Sequence, residues 1–141
     1  MKDPLIDLLA EVSASFQTRL SHLPMTQEIA LAPFQLRLLA LIARFPGSSQ
    51  QKLGTMLARD KGQIARAIKE LEAHGLIRRE ASTSDWRSQV LLLTPQGEEI
   101  ARQAARRRAD LGAYALQDLS PETRDVTTDA LRRILARLQE G

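Results

Sequence analysis

The sequence predicts a mainly α-helical chain with one two-stranded β-hairpin set among the helices, and three observations predict it. Apolar residues recur at spacings of three and four along several separate stretches, the period of a helix with one buried stripe. Helix start and stop signals punctuate those stretches at Pro33, Ser49, Asp60, Gly75, Thr94-Pro95 and Ser120-Pro121. Between Gly75 and Thr94 the pattern changes to two short apolar runs joined by a polar turn, as in a hairpin.

From about Pro4 to Leu23, the residues Leu5, Leu9, Val12, Phe16, Leu20 and Leu23 form one stripe, so this amphipathic helix needs a partner. Ala32 to Phe45 is apolar on nearly every side through Phe34, Leu36, Leu38, Leu39, Leu41, Ile42 and Phe45, which predicts a helix buried in the middle of the fold. Pro33 suits its first turn, where a missing N–H costs nothing, and Pro46-Gly47 ends it. Ser49 then offers a side-chain oxygen to a free backbone N–H, and Leu53, Met56 and Leu57 give a short third helix one apolar edge. Asp60 is a second N-cap, followed by a fourth helix whose inward face is Ile64, Ile68 and Leu71 and which reaches Gly75. Leu76 to Glu80 and Gln89 to Leu93 read as strands, with Ser82 to Asp85 as the turn. Thr94-Pro95 restarts helix along Gly97, Ile100, Ala104, Leu111 and Ala115, weakened slightly by Gly112. Ser120-Pro121-Glu122 opens a final helix with Val126, Ala130, Leu131, Ile134, Leu135 and Leu138 on one face.

A chain of 141 residues is one domain's worth of sequence. Its 43% hydrophobic and 26% charged residues match a globular protein, and no stretch reaches the roughly 20 apolar residues of a membrane span. The beginning, Met1-Lys2-Asp3-Pro4, shows no secretory pattern, so a soluble cytoplasmic protein without a membrane partner is expected. Cysteine is absent, which excludes disulfides, thiolate metal sites and thiol redox sensing. The net charge of +3 resides between Gln50 and Val90, where Lys52, Arg59, Lys61, Arg66, Lys69, Arg78, Arg79 and Arg87 outnumber five acids. A phosphate-binding face would look like this, although charge alone does not separate it from a solvated surface.

A short helix, a tight turn, a second helix with a polar outer face and then a hairpin make a winged helix-turn-helix with a two-stranded wing. The second helix of such a pair enters the major groove, so the residues pointing away from Ile64, Ile68 and Leu71 matter: Gly62, Ala65, Arg66 and Lys69, with Lys61 and Gln63 at the leading edge. Gln63 offers an amide pair to adenine and Arg66 a fork to guanine, each worth roughly 1–3 kcal/mol of discrimination. Small Gly62 and Ala65 would let the helix approach closely. At the wing tip Arg87 is placed to reach a minor groove, Asp85 to hold the loop or the guanidinium, and Ser88 follows. Trp86 reads as a tip residue folded back on the wing sooner than as a base wedge. Arg78 and Arg79 alternate faces, so one of them can face DNA. The expected DNA-facing set is Ser49, Lys61, Gly62, Gln63, Ala65, Arg66, Lys69, Arg78, Asp85, Arg87 and Ser88.

From Leu31 to Leu138 the sequence resembles the MarR family of bacterial transcriptional regulators. The resemblance rests on Leu31-Ala32-Pro33-Phe34-Gln35, on Phe45-Pro46-Gly47-Ser48-Ser49-Gln50, on Asp60-Lys61-Gly62-Gln63-Ile64-Ala65-Arg66 and on Leu71-Glu72-Ala73-His74-Gly75-Leu76-Ile77. Most specific are Asp85-Trp86-Arg87-Ser88, matching an Asp-x-Arg wing signature, and Leu93-Thr94-Pro95-Gln96-Gly97, matching its Leu-Thr-x-x-Gly return. It implies a single domain with a winged lobe over 31–97 flanked by dimerisation helices over 1–30 and 98–141. It implies a homodimer with intertwined first, fifth and sixth helices, addressing a pseudo-palindromic double-stranded operator as a regulator, a repressor sooner than an activator. Where the family often has a second wing arginine this chain has Trp86, which leaves the minor-groove contact to Arg87.

The resemblance also suggests a small phenolic or aromatic effector between the dimerisation helices and the winged lobe. Phe16, Arg19, His22 and Phe45 are candidates for such a pocket, although packing and snorkelling explain them as well. Arg107 and Arg108 interrupt the fifth helix's stripe and could line the cleft, pair across subunits or reach solvent. No cofactor or metal is expected. An enzyme fails on inventory: no Cys nucleophile, no Gly-rich phosphate loop, no nucleophile elbow, and only His22 and His74, too far apart to assemble a site. The remaining alternative is a winged-helix protein-interaction module that does not bind DNA.

Overall fold

The computed structural model describes residues 3–21, 31–57, 59–85 and 87–140. Its elements run α1 (Pro4–Ser21), α2 (Pro33–Arg44), α3 (Gln50–Leu57), α4 (Lys61–Ala73), β1 (Ile77–Ala81), β2 (Gln89–Leu93), α5 (Pro95–Ala115) and α6 (Pro121–Leu138). The mainly helical fold class with its two-stranded wing is as expected.

The start signals act through identifiable bonds. Pro33 opens α2, and Ala32 N–H donates to the Gln35 side-chain oxygen at 2.8 Å. Ser49 Oγ accepts from Lys52 N–H at 3.1 Å, Asp60 Oδ1 from Gln63 N–H at 2.9 Å and Ser120 Oγ from Thr123 N–H at 3.1 Å. Gly75, with φ of 72°, closes α4 in the left-handed conformation that a residue with a Cβ resists.

One core joins α2, α3, α4, the hairpin and the start of α5. Leu38, Leu39 and Ile42 of α2, Leu53 of α3, and Ile64, Ala67, Ile68 and Leu71 of α4 pack with Leu76, Ile77, Leu91 and Ile100. Each fully buried Leu or Ile contributes roughly 1.5–3 kcal/mol. Two expectations need correction. The helix over Ala32 to Phe45 buries one side only, because α3, α4 and β2 cover only that side, and Ala40, Ala43, Arg44 and Phe45 are exposed. Met56 is likewise exposed and Leu53 alone of its trio is fully buried, since α3 is too short to turn more than one edge inward.

The hairpin is antiparallel, with Ile77 opposite Leu93 and Ala81 opposite Gln89. A single bridge at Ser48, not expected from the sequence, flanks it. Leu91 N–H donates to the Ser48 carbonyl at 2.9 Å and Gly47 N–H to the Leu91 carbonyl at 3.1 Å. Gly47 turns the chain into this bridge at φ of 83°.

The chain divides into two compact units, Met1–Arg107 and Arg108–Gly141. In the second, a short turn joins the end of α5 to α6, and Arg124 Nη2 donates to the Leu116 carbonyl at 2.8 Å. Among the described residues no helix is long and apolar enough to cross a membrane.

Candidate nucleic-acid interface

The inward face of α4 fixes what its outward face offers. With Ile64, Ala67, Ile68 and Leu71 in the core, Lys61, Gly62, Gln63, Arg66 and Lys69 are exposed and Ala65 is half-buried. The Asp60 cap leaves the first turn turned toward solvent, and Gly62 lies close to it: a β-carbon there would sit 3.2 Å from Asp60 Oδ1. The turn between α3 and α4 is tied to α2 through Arg59, whose guanidinium carbon lies 4.8 Å from the Phe34 ring centroid, with Arg37 at 5.9 Å from the same ring. Arg59 belongs to the basic block read from the sequence, but its contact with Phe34 leaves no local signature because the two are far apart in the chain.

At the wing tip Asp85 organises the loop. Its Oδ1 accepts from Arg87 N–H at 3.0 Å and its carbonyl accepts from Ser88 N–H at 3.0 Å, while the Ser88 carbonyl accepts from Ser82 N–H at 2.9 Å. These bonds present Arg87 on an exposed turn. Trp86 lies outside the described residues.

The two arginines of β1 part company, as the strand's alternation requires. Arg79 meets Glu72 near the end of α4, with Nε–Oε1 of 3.1 Å and Nη2–Oε1 of 3.0 Å. It shares a cleft of about 590 Å³ with Ser49, Gln50, Gln51, Arg87 and Ser88, so the N-terminus of α3 and the wing converge there. Arg78 pairs with Glu80 and lines a different cleft, of about 700 Å³, with Arg44, Arg102 and Glu98 around Ala40, Ala43, Pro46, Leu92, Leu93, Ala101 and Ala105. Ser49, Arg87 and Ser88 of the expected set are thus brought together, Lys61, Gly62, Gln63, Arg66 and Lys69 lie on the exposed face of α4, and Arg78 stands apart.

At the rim of the larger cleft, Arg102 Nη2 lies 2.7 Å from Glu99 Oε2, and Gln103 donates to Glu99 Oε1 at 3.3 Å. The hydrogen bond from Arg102, then that from Gln103, hold the Glu99 carboxyl below its ordinary pKa, and Glu99 in turn raises Arg102. Of the residues expected at an effector pocket, Phe16, Arg19 and Phe45 do not line this cleft. Phe16 is half-buried and Arg19 exposed on α1, Phe45 is exposed beneath the Arg44 guanidinium at 5.3 Å, and His22 lies outside the described residues.

Comparison with known proteins places this geometry. The sequence profile of the MarR family matches residues 31–89, from just before α2 to the first residue of β2. A protein of Thauera aromatica, named as a candidate transcriptional regulatory protein for the hcr operon, is 35% identical over 103 residues, which is 72% of this chain. The chain spans 58% of that relative's length. Among solved structures, MarR itself is 29% identical with a TM-score of 0.75, the match covering 99% of this chain and 93% of that one. A regulator from Listeria monocytogenes, described as of the MarR family and solved with a 26mer DNA, is 26% identical with a TM-score of 0.83, covering 99% and 91%. Profile, relative and solved structures agree: residues 31–89 are a MarR-family segment, and the fold of the chain is similar to that of MarR.

Proposed function

We propose that this chain is a homodimeric, sequence-specific DNA-binding regulator in which α4 reads base edges in the major groove and the Arg87 wing tip enters the flanking minor groove. One observation carries the reading. The exposed Lys61, Gln63, Arg66 and Lys69 of α4 and the cleft holding Ser49, Arg79 and Arg87 offer cationic and hydrogen-bonding groups from three elements around the helix-turn-helix. The DNA bound to the Listeria protein supports it by likeness. Arg78 belongs less readily to this set than Arg79.

The homodimer is supported by apolar residues left outside on α1 and α6. Leu5, Ile6, Leu8 and Val12 are 52–63% exposed, and Val126, Leu131, Leu135 and Leu138 are 43–74% exposed. A second copy of the chain would cover them and set two recognition helices on a pseudo-palindromic duplex. In this reading residues 1–30 and 98–141 serve dimerisation and 31–97 the DNA-binding lobe, within a cytoplasmic protein. Repression released by a small aromatic effector is the finer part of the proposal. The cleft of about 700 Å³ between α2, β2 and α5 has the size and mixed apolar and cationic lining for such a molecule.

The deciding experiment is binding to random-sequence duplex DNA at increasing salt. Affinity should fall steeply, by a logarithmic slope of about 0.9 per neutralised phosphate. Indifference to duplex DNA in dilute buffer would refute the proposal and favour a protein-interaction module. Aromatic acids added to the complex test the effector: release of DNA is expected, and unaltered binding would remove that part.

A further inference from the structure

On α4 the acid Glu70 stands four residues after Arg66, and both are exposed. Residues at that spacing are neighbours on a helix surface and pair readily when oppositely charged. On α6 the same spacing, there with the acid first, brings Arg133 Nε to 2.9 Å from Asp129 Oδ2. A carboxylate at Glu70 is therefore placed to capture the Arg66 guanidinium.

It does not do so, because Gln35 holds it. The Gln35 side chain on α2 is buried, and its Nε2 donates to Glu70 Oε2. Its Oε1 accepts from Ala32 N–H at 2.8 Å, which fixes the orientation of the amide and leaves Nε2 facing Glu70. Arg66 makes no ion pair among the described residues. A buried polar side chain is costly unless both ends are satisfied, and here one end is satisfied by the helix cap and the other by Glu70.

We propose that Gln35 is a positioning residue for DNA recognition: by fixing the Glu70 carboxylate against α2 it keeps that carboxylate off Arg66 and leaves the guanidinium for the duplex. The inference rests on the reading of α4 as the base-reading helix.

The test uses the full chain and a duplex selected by it from a random-sequence library. Gln35→Glu keeps the acceptor for Ala32 N–H, loses the donor and repels Glu70 toward Arg66. At a temperature where thermal unfolding shows the variant folded, its affinity should drop about three- to tenfold. Adding Glu70→Gln should return affinity to within about twofold of the original. Glu70→Gln alone should bind like the original, and in an Arg66→Ala background Gln35→Glu should cost nothing more. Should Gln35→Glu fail to fold, Gln35→Met fills the same space without the repulsion, and the same rescue by Glu70→Gln is expected. Unchanged affinity, a loss that survives Glu70→Gln, or a loss that adds fully to Arg66→Ala would each overturn the proposal.

A readout without DNA separates this from the reading it rests on. In the free protein the Arg66 Nε–H signal should exchange more slowly in Gln35→Glu and revert with Glu70→Gln. If the original chain selects no duplex, the reading of α4 fails, and the exchange measurement alone decides whether Gln35 keeps Glu70 from Arg66.

Discussion

Gly97 lies so close beneath the Leu76 carbonyl that a β-carbon on it would clash with that oxygen. The contact is locked from the other side: Thr94 N–H donates to the Leu76 carbonyl at 3.0 Å, Thr94 Oγ1 donates to the Gly75 carbonyl at 2.6 Å, and Gly97 N–H donates to Thr94 Oγ1 at 3.1 Å. The end of α4, the entry to β1 and the start of α5 are joined here, so the geometry of the wing depends on the absence of one methyl group.

Gly97→Ala should therefore destabilise the protein by about 2–4 kcal/mol, because backbone rather than a flexible side chain must give way. Gly112→Ala, in open space within α5, should instead stabilise by up to about 1 kcal/mol through helix propensity. Urea unfolding of the two variants checks this, and an equal response in both would defeat the steric account.

The ion pair between Arg79 and Glu72 holds β1 against the end of α4, and its side chains are 30% and 33% exposed. A pair that accessible is worth about 0.5–1 kcal/mol, so Glu72→Gln should cost no more than that in stability. It also removes an acid beside the cleft that holds Arg87, and binding to random DNA should strengthen modestly at low salt. A double-mutant cycle with Arg79→Ala measures the coupling; zero coupling would mean that the wing is held by its backbone bonds alone.

Arg87 and Arg66 should fail in different ways. Arg87→Ala, at the exposed wing tip, should weaken binding to all sequences about uniformly and lower the salt slope by about one phosphate. Arg66→Ala and Gln63→Ala should each cost roughly 1–3 kcal/mol on a selected duplex and much less on random DNA. Competition binding with both DNAs distinguishes them, and equal losses on both for Arg66 would argue against direct readout.

Much of this was legible in the sequence because it is local. Caps at Ser49, Asp60 and Ser120 bond to residues three positions on, and the period of Ile64, Ile68 and Leu71 is a property of one helix, so each could be read without knowing the fold. What escaped is non-local. The Ser48 bridge to Leu91, Arg59 against Phe34, and Gln35 against Glu70 join residues whose separation in sequence carries no period. The exposure of Phe45 and Met56 escaped for a related reason: hydrophobicity shows that a side chain would gain from burial, and only the packing of a small lobe decides which ones find cover.

Glu99 offers a pH test. Because Arg102 and Gln103 hold its carboxyl below the ordinary value, the contact favours the fold above the unfolded-state pKa and is lost as pH falls through the lower folded-state value. Arg102→Ala should move the Glu99 titration upward when followed by NMR. An unmoved titration would show that the contact does not persist in solution.

The exposed apolar residues of α1 and α6 supply the last prediction. Val12 is 63% exposed and Leu135 54% exposed, each amid neighbours of the same kind, and solvation of such stripes on two helices of a small chain is unfavourable by about 25 cal/mol per Å². If a second copy covers them, Val12→Asp or Leu135→Asp places a charge in that interface and should shift sedimentation from dimer to monomer. Because the core around Leu38 and Ile68 is remote in kind from this change, the helical content of the monomer should largely persist. DNA binding should then fall far more on a two-half-site duplex than on a single half-site, since linking two readers multiplies affinity only while they are joined. A variant that remains dimeric and binds both duplexes like the original would place the subunit contact elsewhere on the chain.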